Sequence, residues 1–200
     1  MRRHRVLGVF AAVVAGLSIA VPVADAQVGT GPWIADSPSY NTQLKGCGTN
    51  SGLTFGLTCS TGSGEQRAER RYVTYTGGTH QFEGSFRISS MSGSRISLKQ
   101  TFRDGSSAGP YFLLAVESGG RMYAVEGGAT LGSGATVGTS VRVNTINQVG
   151  SSHKVYLNGS LKQTISSASG SYYDKFGSYR TASGAGPISV TWSGIKFWHK

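Results

Sequence analysis

The stretch VYLNGSLKQT, Val155 to Thr164, decides the fold class. Asn158-Gly159 stands between two runs of alternating residues, the strongest short signal for a β-hairpin, and favours a type I′ turn. Asn158-Gly159-Ser160 is also a glycosylation sequon, although the turn accounts for it sufficiently. Outward from this hairpin the same pattern continues. SFRI, RISLKQTF, YFLLAVE, RMYAVE, SVRVNTI, KVYLNG, LKQTI and ISVTW follow one another with turn residues between them, and β-branched or aromatic side chains fill the runs. ESGGRMY, Glu117 to Tyr123, predicts a second hairpin with Gly119-Gly120 at its tip. In ISVTWSGIKFWHK, Ile188, Val190 and Trp192 share one parity while Ile195 and Phe197 take the other, and a bulge at Ser193-Gly194 reconciles them. No amphipathic helix of useful length can be drawn. The expected fold class is all-β: about ten to twelve strands in two antiparallel sheets packed as a β-sandwich, a jelly roll of the concanavalin-like kind.

Residues 1–26 read as a secretory signal peptide, with basic MRRHR, the apolar run LGVFAAVVAGLSIAV and a small-x-small cleavage site at Ala24-Asp25-Ala26. The apolar run is too short and too early for a permanent span, and no later segment approaches the roughly 20 apolar residues that spanning needs. The expected product is secreted and extracellular, with no membrane partner. The remaining residues, 27–200, have the size of one domain. Neither a repeat nor a linker divides them, and a monomer is expected. Losing Arg2, Arg3, Arg5 and Asp25 with the leader leaves 16 basic against 8 acidic residues, a charge of +8. Such a surplus attracts a polyanion. Export favours an acidic polysaccharide over nucleic acid, and the chain lacks both a basic run and a recognisable nucleic-acid module.

Cys47 and Cys59 are the two cysteines, and an even pair in an oxidising compartment reads as a disulfide. Closing so short a loop stabilises by about 3 kcal/mol on the chain-entropy model. It ties down 27–63, a turn-rich stretch expected as an N-terminal cover. Two cysteines without CxxC spacing, and histidines without ligand spacing, argue against a metal site. No cofactor is implied.

Three constellations can carry chemistry. RAERR, Arg67 to Arg71, puts Arg67, Glu69 and Arg71 on one strand face, where two guanidinium forks around a carboxylate make an anion receptor. The plainer reading is a charged edge strand that resists aggregation. RISLKQTFR, Arg95 to Arg103, puts Gln100 in phase with Ile96, Leu98 and Phe102. Gln100 then either points into a partly apolar cleft or is a buried amide satisfied by its neighbours, and Lys99 is the competing cleft residue. YYDKFGSYR, Tyr172 to Arg180, lines up Tyr173, Lys175, Gly177 and Tyr179 on one face. His80 lies in phase with Phe82, Phe86 and Ile88, a placement with a structural reading as well as a catalytic one.

Taken together and in this order, RAERR, QTF and YYDKFGSY resemble the R-x-E-x-R, Q-x-H and Y-F-K-x-G-x-Y motifs of alginate lyases with a jelly-roll fold, to which glucuronan lyases are related. The resemblance implies a polysaccharide lyase cleaving a polyuronate by β-elimination. It assigns Arg67, Glu69 and Arg71 to binding the substrate carboxylate and supporting that binding, Gln100 to neutralising the carboxylate, Lys175 to substrate binding and Tyr179 to proton transfer. Tyr173 and Gly177 complete the cleft wall, Gly177 by leaving room for a sugar to approach. The sequence departs from the pattern at Phe102, where the family carries a catalytic histidine. Two alternatives can move that proton: His80 from another strand, or Tyr179 acting as base and acid in a syn elimination.

The residue types suit the reaction. Removing the C5 proton of a 4-linked uronate and expelling O4 creates a carbanion that is tolerable only if the adjacent carboxylate is neutralised, a task for preorganised cationic and amide donors. Positive neighbours such as Lys175 are expected to lower the Tyr179 phenol pKa. A non-catalytic carbohydrate-binding jelly roll is the alternative. A glycoside hydrolase is disfavoured, because it needs two flanking carboxylates and the E-x-D-x-x-E pattern of jelly-roll glucanases is absent.

Overall fold

The computed structural model describes residues 28–60, 64–106, 109–125, 128–180 and 184–200, so the expected leader, 1–26, lies outside the described residues. Sixteen strands, numbered in chain order, make two antiparallel sheets of eight. The first sheet runs β14 (Ser160–Ser166), β13 (Ser152–Leu157), β12 (Ser140–Gln148), β7 (Thr79–Met91), β16 (Ile188–His199), β4 (Thr54–Leu57) and β3 (Gly48–Ser51), with β1 (Ile34–Asp36) added on β16. The second runs β11 (Thr130–Gly132), β10 (Met122–Ala124), β9 (Phe112–Glu117), β8 (Arg95–Arg103), β15 (Ser171–Arg180), β5 (Gln66–Tyr72) and β2 (Tyr40–Lys45), with β6 (Tyr75–Thr76) on β15. The sandwich is the expected one, with more strands than the ten to twelve anticipated. The surplus lies in pieces of two to four residues such as β1, β3, β6 and β11, too short to show a period-2 pattern.

Asn158 and Gly159 have φ of 50° and 82°, the paired positive values that a type I′ turn requires, and they join β13 to β14. The Glu117–Tyr123 hairpin forms between β9 and β10, with Gly120 at φ 82° and its N–H donating to the Glu117 carbonyl. The register of β16 on β7 slips between Ser193 and Lys196. That irregularity lets Ile188, Val190 and Trp192 on one side of it and Phe197 on the other all pack on the core. The 27–63 segment supplies β1 to β4, and Phe55 and Leu57 are fully buried. Cys47 and Cys59 form the disulfide.

Between the sheets lies one aromatic core. Phe82, Phe176 and Trp192 meet with ring centroids 5.0–6.0 Å apart, and burial of such rings is the main favourable term holding the layers together. The Trp192 indole N–H donates to the Gly177 carbonyl at 3.3 Å, which satisfies its one polar atom inside the core.

Candidate functional site

The outer face of the second sheet carries the site. Lys175, Gly177 and Tyr179 of β15 pair with Arg71, Glu69 and Arg67 of β5. Residues directly opposite in an antiparallel pair share a face, so the two sequence motifs merge into one surface. The third motif joins through a bulge. β8 and β9 pair Ser97 with Ala115 and Lys99 with Leu114, leaving Leu98 as an extra residue. Before it, Ile96 points to the core; after it, Leu98, Lys99 and Thr101 lie inward, all at most 1% exposed. Gln100 and Phe102 are thereby turned outward. The in-phase reading of Gln100 with Ile96 and Leu98 fails at this bulge; Gln100 lines the cleft and is at the same time a buried amide, 2% exposed and donating to Glu69.

A cleft of about 390 Å³ results, lined by Glu65, Arg67, Glu69, Gln100, Phe102, Leu113, Tyr173, Lys175 and Tyr179 among others. Glu69 is 1% exposed; it accepts a hydrogen bond from the Gln100 amide and lies 3.7 Å from Lys175 Nζ. Burial pushes the Glu69 carboxyl up, against the lowering effects of Lys175 and Arg67. Burial also pushes the Lys175 ammonium down; Glu69 opposes that shift, and Arg67 and Arg71 add to it. Lys175 Nζ stands 5.0 Å from the centre of the Phe102 ring. Phe102 in turn stacks on Tyr173 at 5.1 Å with an interplanar angle of 7°, and the Arg71 guanidinium covers the other partner at 4.0 Å from the Tyr173 ring. Arg71 also lies 3.8 Å from Asp104. Arg67 sits 5.5 Å from the Tyr179 ring and is salt-bridged to Glu65.

Tyr179 donates to Glu65 Oε1 at 3.3 Å. Burial raises its phenol pKa and the Glu65 charge raises it further, outweighing Arg67. This corrects the expectation of a lowered phenol: the neighbour in hydrogen-bond contact is an anion, and the cation that lowers the phenol is Arg67 rather than Lys175. Glu65 was not singled out from sequence, although it shares odd parity with Arg67, Glu69 and Arg71. Extending the RAERR alternation by one step toward the N-terminus would have found it.

Three other expectations are corrected. Lys99 does not reach the cleft: it is 0% exposed on the inner face, salt-bridged to Asp174, and donates to Thr101 Oγ1 at 3.1 Å and the Gln100 carbonyl at 3.0 Å. His80 belongs to the other sheet, stacked on Tyr75 at 4.0 Å and bonded to the Gly77 carbonyl at 2.9 Å. It borders a separate cavity of about 190 Å³ with Tyr72, Tyr75 and Asp174, away from Gln100 and Tyr179. Gly177 does not make room for a sugar. At φ 145°, a Cβ there would lie 2.3 Å from the Ala68 carbonyl oxygen, so glycine is needed for the close approach of β15 to β5.

No family model matches the sequence, and no curated protein matches it by sequence. Solved structures match its fold. The alginate lyase from Corynebacterium sp. superposes with a TM-score of 0.62 at 20% identity, covering 84% of this chain and 83% of that one. An alginate lyase of polysaccharide lyase family 7 gives 0.59 at 19% identity over 84% and 85%. The marine family 7 alginate lyase from Zobellia galactanivorans gives 0.58 at 17% identity over 84% and 95%. The chain therefore has the jelly-roll fold of these polysaccharide lyases.

Proposed function

We propose that the protein is a secreted lyase that cleaves a polyuronate of the alginate or glucuronan type by β-elimination. The observation that carries this reading is the merging of three separate motifs into one cleft, with Arg67, Lys175 and Gln100 around Tyr179. A uronate carboxylate seated there meets two fixed cations and an amide, which is the environment that stabilises the charge developing at C5. Gln100 spends one amide hydrogen on Glu69, and an amide has a second to offer. Tyr173 and Phe102 provide a flat apolar wall for the sugar ring, and Tyr179 handles the proton. The test is to incubate the mature chain with mannuronate, guluronate and glucuronate polymers and follow the ultraviolet absorbance of the unsaturated product. Silence on every polymer sinks the proposal.

The second reading, a carbohydrate-binding jelly roll without turnover, is favoured by Phe102. Its ring occupies the position where the resemblance puts a proton-transferring histidine, and a phenyl ring stacked on Tyr173 suits gripping better than chemistry.

A further inference from the structure

With Phe102 chemically inert and His80 outside the cleft, the proton removed from C5 needs an acceptor. Among the described residues the cleft is lined by two carboxylates, and they differ in one decisive respect. Glu69 is sealed, its side chain 1% exposed and engaged by Gln100 and Lys175. Glu65 has a side chain 44% exposed and touches the Tyr179 hydroxyl at 3.3 Å. Arg67 and Lys45 hold it from the other side, Lys45 at 3.2 Å.

We propose that Glu65 is the catalytic base, working with Tyr179 as the acid of a single-faced elimination; this rests on the lyase reading above. Glu65 takes the proton from C5, and the electron pair of that bond becomes the C4–C5 double bond. The C4–O4 bond breaks with its pair going to O4, and Tyr179 delivers its phenol proton to O4. The tyrosinate then recovers a proton from the protonated Glu65 across their existing contact. The net change is one proton moved from C5 to O4, with no oxidation or reduction, and both side chains return to their starting state.

The geometry carries a consequence for the substrate. Two groups 3.3 Å apart serve one face of a sugar ring, so H5 and O4 must lie on the same side. That holds for 4-linked β-D-mannuronate and β-D-glucuronate and not for α-L-guluronate. The charged and titratable groups facing Glu65 are Lys45 on β2, Arg67 and Glu69 on β5, and Tyr179 and Lys175 on β15. Its carboxyl is lowered chiefly by the hydrogen bond from Lys45, so it is ionised through the neutral range.

The experiment compares the mature chain with Glu65→Gln, Glu65→Asp and Tyr179→Phe on the three homopolymers. The wild type is expected to cleave mannuronan or glucuronan and to spare polyguluronate. Glu65→Gln should lower kcat by about 10²- to 10⁴-fold with KM within a few-fold and without the acid limb of the pH profile, and Glu65→Asp should recover part of the rate. A wild type that turns over while Glu65→Gln keeps both rate and acid limb overturns the proposal, and so does preference for polyguluronate. A substrate-free readout separates this from failure of the lyase reading. Phenolate absorbance should show the tyrosine that disappears in Tyr179→Phe titrating at lower pH in Glu65→Gln than in wild type. An unmoved titration overturns the Glu65–Tyr179 pairing even if no polymer is cleaved.

Discussion

Two lysine–carboxylate pairs stand back to back on the second sheet, Lys99 with Asp174 toward the core and Lys175 with Glu69 toward the cleft. Asp174 and Lys175 are consecutive residues of β15, so period-2 alternation sends one to each side. Both pairs are nearly withdrawn from water, with side-chain exposures of 0% and 9% against 5% and 1%. They differ in saturation. Lys99 places its three hydrogens on Asp174, Thr101 and the Gln100 carbonyl, and Thr101 completes the circuit by donating to Asp174 at 2.7 Å. Lys175 stands 3.7 Å from Glu69, beyond hydrogen-bond reach, and Glu69 Oε2 accepts no hydrogen bond among the described residues. A buried pair whose lysine has all three hydrogens placed is a structural element. One with valences left open beside a cleft can still bind something.

The largest expected effect belongs to the cleft side. Tyr179→Phe should reduce turnover by about 10²- to 10⁴-fold while leaving polymer affinity within a few-fold. Unchanged affinity with no wild-type turnover to lose would instead make the protein a binder. On the core side, Lys99→Met leaves Asp174 as an uncompensated buried charge and should cost about 3–5 kcal/mol in denaturant unfolding, whereas Lys99→Met with Asp174→Leu should recover most of the loss.

Acid should act through the core pair's neighbour. His153 is fully buried beside Thr101, with its Nε2 at 3.3 Å from Thr101 Oγ1, and burial, with the Lys99 charge adding to it, pushes its imidazole down to about 3. Because its folded pKa lies below the unfolded value near 6.5, the stability it contributes is complete above that pH and is lost as pH falls toward about 3. The slope approaches about 1.4 kcal/mol per pH unit. A His153→Gln variant should show a flatter acid limb in the same unfolding series.

The smallest stability effect, about 1–2 kcal/mol, is expected for Lys175→Met, because Glu69, already raised by burial, neutralises by taking up a proton rather than remaining a buried anion. Substrate affinity should fall sharply in the same variant. Equal destabilisation by Lys175→Met and Lys99→Met would erase the distinction between the two pairs.

The fold was legible in the sequence because a half-buried strand writes its two faces into alternate residues, and Asn158-Gly159 writes its turn into backbone preference. Within β5 and β15 the same alternation placed Arg67, Glu69, Lys175 and Tyr179 on one face each. It failed at β8, where one extra residue reverses the phase: Lys99 turns inward and Gln100 outward because Leu98 bulges. His80 shows a second limit. Its phase with Phe82 and Phe86 is a property of its own strand, and which sheet that strand joins depends on pairings between distant segments.

What the sequence alone determined was therefore everything carried by local periodicity and turn chemistry: the all-β class, the two hairpins and the face composition of regular strands such as β5 and β15. Tertiary structure alone decided which faces meet, that Glu65 reaches Tyr179, and that Lys99 places all three of its hydrogens while Lys175 stands beyond hydrogen-bond reach of Glu69. Register, bulges and strand order are set by packing across the whole sandwich, and no single stretch of chain contains that information.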